Sequence, residues 1–237
     1  MGPSILALIA ATLVGALVPL WAGRSQTVLH LFVAASTGLF LGILCLHLLP
    51  EALSTHGGLP APWPGALLLG GVLVLYLLQH QVFSASGHDP HTTAGWGALL
   101  GFSLHALATG LALAAATGEW EMELALLVPL LAHKLAEGFS LAAVFSLADF
   151  SRARTLAVVA LFSLATPAGL LAGDALLAHL SRAGAQGFAA FASGTFLFVA
   201  VGDLLPELFH GKGERGTRVL ALVLGLAAAF VLHLLGG

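Results

Sequence analysis

The sequence contains few charged residues. Only 8% of its 237 residues are Asp, Glu, Lys or Arg, whereas 59% are hydrophobic and the mean hydropathy is +1.01. Because about a quarter of the residues of a soluble domain are charged, this composition excludes that class. The single cysteine, Cys45, excludes a disulfide framework. With a net charge of −3 and no basic tract, we expect a lipid bilayer and no nucleic acid as partner.

Long apolar runs account for most of the chain. About twenty apolar residues cross the hydrocarbon core of a bilayer. Eight runs of this length, called spans 1 to 8, are predicted at residues 3–22, 28–50, 65–84, 94–117, 122–147, 155–178, 186–206 and 217–235. The prediction is an all-α polytopic membrane protein whose eight helices form a single transmembrane domain.

The basic residues between the spans predict the orientation of the chain. With the N-terminus outside, the outer loops hold only Arg182. The cytoplasmic loops then hold Arg24, Arg152, Arg154, Lys212, Arg215 and Arg218. This positive-inside bias predicts that both termini lie outside, in a plasma membrane or bacterial inner membrane. The first run has a basic residue behind it rather than ahead of it, so we expect it to be retained rather than cleaved as a signal peptide.

Spans 4 and 5 contain the same motif twice. Residues 105–116 and 133–144 share His-x-Leu-Ala-x-Gly-x-x-Leu-Ala-Ala. Consecutive spans run in opposite directions, so the two copies form an inverted pair that meets near mid-membrane. His105, His133 and Glu137 then come within reach of each other. His133 and Glu137 are four residues apart and share one helix face.

Ionisable side chains inside the membrane are costly and indicate a function. Imidazole and carboxylate groups suit Zn²⁺ and neighbouring divalent metals, so the first hypothesis is a metal site. Water, Thr109 or Ser103 would supply the fourth ligand. The alternative is that these buried polar groups hold two helices together.

A second inverted pair flanks the first. Residues 40–51 and 196–207 agree at six of twelve positions, and both end in Leu-Leu-Pro-Glu. His47 precedes Glu51 by four residues, and Asp203 precedes Glu207 by four. We interpret these pairs as the outer and inner ends of an ion pathway. The alternative is that both glutamates are interfacial residues at helix ends.

Two further features concern the cytosolic side and span 6. The loop at residues 84–93 is predicted to be cytosolic, and a weak metal-binding cluster is predicted there and at the end of span 3. Its members are His80, His88, Asp89 and His91. In span 6, Thr166 and Pro167 are expected to break the helix near mid-membrane.

Together these motifs resemble the ZIP (Zrt/Irt-like) family of zinc and iron permeases. The resemblance covers nearly the whole chain. Its specific parts are His105-x-x-x-x-Gly110, His133-x-x-x-Glu137-Gly138, the Thr166–Pro167 position and the two Leu-Leu-Pro-Glu ends. It implies eight spans with inverted repeats, a metal site on spans 4 and 5, elevator-like alternating access and, in many members, a homodimer.

The chain departs from family members that bind two metal ions. Those members carry Asn and an acid on span 4, where Ala106 and Thr109 stand here, and an acid before the proline of span 6, where Thr166 stands. The acid of span 5 is replaced by Lys134. In this respect the chain resembles the branch of the family whose span 5 begins His-Lys. The hypothesis is a mononuclear site in which the Lys134 ammonium replaces the second metal. The alternative is that Lys134 snorkels to water.

The predicted function is therefore transport of a divalent metal into the cytoplasm. Zn²⁺ is the expected cargo, Fe²⁺, Mn²⁺ and Cd²⁺ are further candidates, and no organic cofactor is expected. The alternative is an intramembrane zinc hydrolase, since three ligands and a water also form a catalytic zinc site. Lys134 stands where such a motif would need its catalytic glutamate, so we predict a carrier and not an enzyme.

Overall fold

A computed structural model describes residues 2–21, 25–54, 58–83, 90–116, 124–177, 181–209 and 215–236. Within these ranges the chain is helical and contains no strand. Eight helices are long and apolar enough to cross a membrane. The predicted all-α polytopic fold is confirmed.

The helices are numbered α1 to α8 in the order of the spans. Their bounds are Gly2–Trp21, Gln26–Ala52, 63–83, Pro90–Ala116, Leu124–Leu147, 152–177, 182–207 and Arg215–Gly236. The largest difference from the predicted spans is four residues, at the starts of α4 and α7. Residues 90–93, predicted as the end of a loop, form the first turn of α4 because Pro90 is favourable at the start of a helix.

Helix α6 is interrupted in the middle, as the Thr-Pro pair predicts. Its two halves are Arg152–Ser163 and Ala165–Leu177, separated by a turn at Leu164. Pro167 lies three residues after this turn. A proline has no N–H to donate, and its ring clashes with the preceding turn of a helix.

In the part of the chain that the structure describes, three helices contain a π-helical turn, a wider turn that often marks functional positions. These turns are Leu44–Leu48 in α2, Gln79–Phe83 in α3 and Val199–Leu204 in α7. In α2 and α7 the π turn comes immediately before Leu-Pro-Glu. The repeat in the sequence is therefore also a repeat in backbone conformation.

Reciprocal glycines hold the helices in four parallel pairs: α1 with α5, α2 with α8, α3 with α7, and α4 with α6. In each pair, a Cβ atom on the glycine of one helix would collide with a backbone carbonyl oxygen of the other. That carbonyl belongs to the residue three positions before the partner glycine. The glycines are Gly15 and Gly138, Gly38 and Gly225, Gly71 and Gly194, and Gly110 and Gly169. Small residues allow the backbones to approach closely in lipid.

The four pairs assemble into two groups of helices. One group contains α1, α4, α5 and α6, and the other contains α2, α3, α7 and α8. They meet mainly where α2 packs against α5 and where α4 packs against α7. Two aromatic contacts mark this interface: Phe32 packs on Phe139, both half-buried, and Phe102 packs on Phe196, both fully buried.

We call the two ends of the bundle the His47 end and the Asp203 end, after one residue that lies at each. At the His47 end, the last turn of α2 lies beside the start of α7, where Gln186 Nε2 donates to the carbonyl oxygens of Ala52 and Ser54 at 3.3 and 2.7 Å. At the Asp203 end, the last turns of α3 and α7 lie beside the first turns of α4. Gly97 of α4 leaves space there for the Asp203 side chain.

Candidate metal centre

The polar centre of the bundle is formed by α4 and α5. His105 lies on α4, and His133 and Glu137 lie one turn apart on α5. His105 Nε2 is 3.2 Å from His133 Nε2, and Glu137 Oε1 is 3.0 Å from His133 Nε2 and 4.0 Å from His105 Nε2. Among the described residues, this is the one group of three His, Cys, Asp or Glu side chains whose ligand atoms converge.

These separations are close to those expected around a zinc ion. Nitrogen and oxygen ligands at about 2.0–2.1 Å from a tetrahedral ion lie roughly 3.3 Å from each other. All three side chains are buried. Glu137 Oε1 receives no hydrogen bond of normal geometry from the described residues, although a buried carboxylate oxygen without a donor is costly. A cation bound between the three ligand atoms would remove that cost.

Lys134 neutralises the other oxygen of the same carboxylate. Its Nζ atom lies 2.6 Å from Glu137 Oε2 and donates a hydrogen bond to it. The lysine is only 2% exposed, and its ammonium lies 5.9 Å from the centroid of the Phe162 ring. In the structure, Lys134 is therefore buried against Glu137 rather than extended toward the surface.

The two candidates for a fourth ligand occupy different positions on α4. Thr109 is one turn after His105, and its Oγ1 atom is 3.4 Å from His105 Nε2. The same hydroxyl donates to the His105 carbonyl oxygen at 3.0 Å. Ser103 is two residues before His105, and residues at this spacing do not share a helix face. Thr109 is therefore better placed than Ser103.

Aromatic side chains surround the polar centre. Phe196 of α7 lies 4.5 Å from the His105 ring, and Phe40 of α2 lies 6.0 Å from the His133 ring, measured between ring centroids. Phe40, Phe102 and Phe196 also contact each other, with centroids 5.1 to 5.6 Å apart. All three are fully buried. We call them the phenylalanine cluster; its member Phe102 lies one turn of α4 nearer to the Asp203 end than His105.

At the His47 end, the structure places an additional residue beside the predicted pair. His47 and Glu51 are both exposed on the last turns of α2. His47 Nε2 lies 3.1 Å from Nδ1 of His233 on α8. The sequence offered no signal for this contact, because His233 lies alone in an apolar span.

At the Asp203 end, Asp203 is buried rather than open to water. Gln79 of α3 donates to Asp203 Oδ1 at 2.6 Å and to the Thr93 carbonyl oxygen of α4 at 3.4 Å. Gln79 was not among the predicted site residues, although its polar side chain near the end of an apolar span was a visible signal. Glu207 ends the helical part of α7, and its side chain lies outside the described residues.

The predicted histidine cluster is described only in part. His80 is exposed at the end of α3 and stacks on Tyr76, with ring centroids 4.7 Å apart. His91 is half-buried in the first turn of α4. His88 and Asp89 lie outside the described residues, so metal binding by this cluster stays a prediction.

The family model and the relatives that match this chain are all described as ZIP zinc transporters. A family model described as "ZIP Zinc transporter" matches residues 84–233. The chain is 32% identical over 194 residues to "Zinc transporter ZIP9" of Micropogonias undulatus, a match that covers 70% of this chain and 62% of that protein. It is 32% identical over 207 residues to "Zinc transporter ZIP9-B" of Xenopus laevis, covering 76% and 67%. "Zinc transporter ZIP1" of Takifugu rubripes is 29% identical over 143 residues, covering 58% and 46%.

Proposed function

Because this chain belongs to the ZIP zinc transporter family, we propose that it carries Zn²⁺ across a membrane into the cytoplasm through a mononuclear site on α4 and α5. Family membership supports metal transport. The observation that supports this particular route is the convergence of His105, His133 and Glu137 in the buried centre of the bundle. Three protein ligands leave a coordination position open, which favours release of the cargo. Fe²⁺, Mn²⁺ and Cd²⁺ are secondary candidates because imidazole and carboxylate ligands do not select zinc alone.

The proposed direction runs from the His47 end to the Asp203 end. The positive-inside bias of the loops supports an orientation with the His47 end and both termini outside. His47 and Glu51 would meet the ion first. Asp203, Glu207 and the histidines at the end of α3 and the start of α4 would meet it on release.

Movement of the ion toward the cytoplasm requires a conformational change. Phe102 of the phenylalanine cluster lies between the metal centre and the Asp203 end, and the Gln79–Asp203 hydrogen bond joins α3 to α7 at that end. We propose that α1, α4, α5 and α6 carry the ion past α2, α3, α7 and α8 in an elevator-like movement. Inverted repeats are typical of such alternating access. The division of the glycine-linked pairs between the two groups supports this assignment.

In the proposed site, Lys134 replaces a second metal ion. Its ammonium is 2.6 Å from Glu137 Oε2 and supplies a positive charge where another cation would otherwise balance the carboxylate. Ala106 and Thr109 provide no carboxylate that would bridge two ions. One zinc ion would then bind Glu137 Oε1, His105 and His133, with Thr109 or water as the fourth ligand.

The test is uptake of ⁶⁵Zn²⁺ by proteoliposomes that contain the full chain. We expect time-dependent uptake by the wild type and none by His133→Ala/Glu137→Ala. His30→Ala is the matched control, because His30 is also a buried helical histidine but hydrogen-bonds the Gln26 carbonyl oxygen of its own helix. Its uptake is expected to remain near that of the wild type.

Zinc binding without flux would contradict the transport proposal. In that case a zinc-dependent hydrolase would become the leading alternative. Flux that survives in the double variant would contradict the assignment of the site but not of the function.

A further inference from the structure

A pair of histidines joins α2 and α8 at the His47 end. His47 Nε2 and His233 Nδ1 are 3.1 Å apart, and the two rings meet edge to face with centroids 4.6 Å apart. The contact links residues 186 positions apart in the sequence. Unlike the buried centre, the pair lies near the ends of its two helices, with His47 exposed and His233 half-buried, so an ion can reach it without any movement of the helices.

Helix packing sets the position of both rings. Gly38 and Gly225 bring the backbones of α2 and α8 into close contact, and Gly42 packs against Ala229. His233 is four residues after Ala229, one α-helical turn further on. His47 is five residues after Gly42 and lies within the π turn Leu44–Leu48, whose hydrogen bonds join residues five apart.

The distance between the two nitrogen atoms is compatible with a shared metal ion. Imidazole nitrogens that bind one tetrahedral zinc lie roughly 3.3 Å apart. A simple hydrogen bond between the rings would have a similar length. One feature of the surroundings favours a metal ion: Glu51 lies one turn beyond His47 and places negative charge near the pair, although its carboxylate does not converge with the two ring nitrogens in the structure.

We propose that His47 and His233 form a second zinc site at the His47 end, which captures a divalent ion with water completing the coordination. Phe40, which packs against His133, precedes His47 by seven residues, about two turns of α2. An ion captured by the pair is therefore held above the buried centre. The role in uptake rests on the transport function proposed above, whereas zinc binding by the pair does not.

The binding test uses purified full chain with the buried centre disabled by His105→Ala/His133→Ala, which leaves the Lys134–Glu137 ion pair in place. Equilibrium dialysis with ⁶⁵Zn²⁺ is expected to show a zinc site that remains in this background. Adding His233→Gln is expected to weaken that site at least tenfold, because Gln retains a hydrogen bond to His47 but is a poor zinc ligand. Adding His233→Cys is expected to retain it, because a thiolate binds zinc.

Two outcomes would overturn the proposal. One is the absence of zinc binding in the disabled background. The other is residual binding that is equally strong with His233→Gln, since that zinc would then be held elsewhere. Absence of flux through wild-type proteoliposomes would contradict the transport function and leave this site standing.

The uptake test uses the chain with its buried centre intact. If the pair captures zinc for transport, His233→Gln raises the zinc concentration for half-maximal uptake several-fold, and His233→Cys restores it. An unchanged half-maximal concentration in His233→Gln would overturn the capture role.

Discussion

The Lys134 ammonium and the Glu137 carboxylate form an ion pair in the middle of the helix bundle, with Nζ 2.6 Å from Oε2. Both side chains are almost completely buried. Coulomb attraction inside a protein is stronger than in water, but the desolvation of two charges opposes it. The pair therefore adds little net stability, but it engages one oxygen of Glu137 and leaves the other directed at the two histidines.

Replacing Lys134 with alanine should destabilise the protein in a zinc-dependent way. Removing one partner of a buried ion pair costs about 3–5 kcal/mol, because the remaining charge is left uncompensated. Saturating Zn²⁺ should recover part of this loss, since the ion supplies positive charge to Glu137. Thermal unfolding in detergent with and without zinc measures both effects, and ⁶⁵Zn²⁺ uptake should fall.

Ser140→Ala, a neutral change at another buried position of α5, is the control for Lys134→Ala. Unchanged transport and zinc affinity in Lys134→Ala would exclude the surrogate role.

Replacing Thr109 with valine should weaken zinc binding. Valine keeps the shape of the side chain but removes the hydroxyl 3.4 Å from His105 Nε2. We expect the zinc dissociation constant to rise about tenfold, equivalent to ~1.4 kcal/mol. Ser103→Ala should leave it unchanged, because that residue lies on another face of α4. Equal affinities of wild type and Thr109→Val, measured by calorimetric titration, would assign the fourth position to water.

Replacing Gly138 with alanine should separate α1 from α5. The new Cβ would collide with the carbonyl oxygen of Thr12, and backbone atoms yield less readily than side chains. Overpacking of this kind costs typically about 1–3 kcal/mol, so the unfolding temperature in detergent should fall. Gly65→Ala is the control, because no atom lies within 4 Å of the Cβ position there. Similar unfolding temperatures for the two variants would show that close contact at Gly138 is not required.

Replacing Asp203 with asparagine should slow release of the ion. The change removes a negative charge at the Asp203 end without altering the three ligands of the buried centre. The maximal rate of ⁶⁵Zn²⁺ uptake should therefore fall several-fold while zinc affinity stays constant. Asp149→Asn removes an exposed acid just after α5, at the same end of the bundle, and should have little effect. An equal reduction in both variants would indicate a general effect of charge rather than a specific position.

Local sequence patterns predicted the parts of this protein that depend on neighbours along the chain. Apolar length predicted the eight spans, and Pro167 predicted the break in α6. The spacing of four residues placed His133 and Glu137 on one face. The repeated motif predicted that His105 lies beside them. Two antiparallel copies of one motif bring equivalent residues, here His105 and His133, to the same depth.

Contacts between residues distant in sequence required the tertiary structure. The sequence did not show that Gln79 pairs with Asp203, or that His47 meets His233. It also did not show that Lys134 is buried rather than extended toward water. Each of these depends on which helices pack together and in what register, and that register is set by close approach at small residues such as Gly38 and Gly225. An apolar span exposes similar side chains on every face, so its sequence alone determines that it crosses the membrane but not which neighbour it contacts.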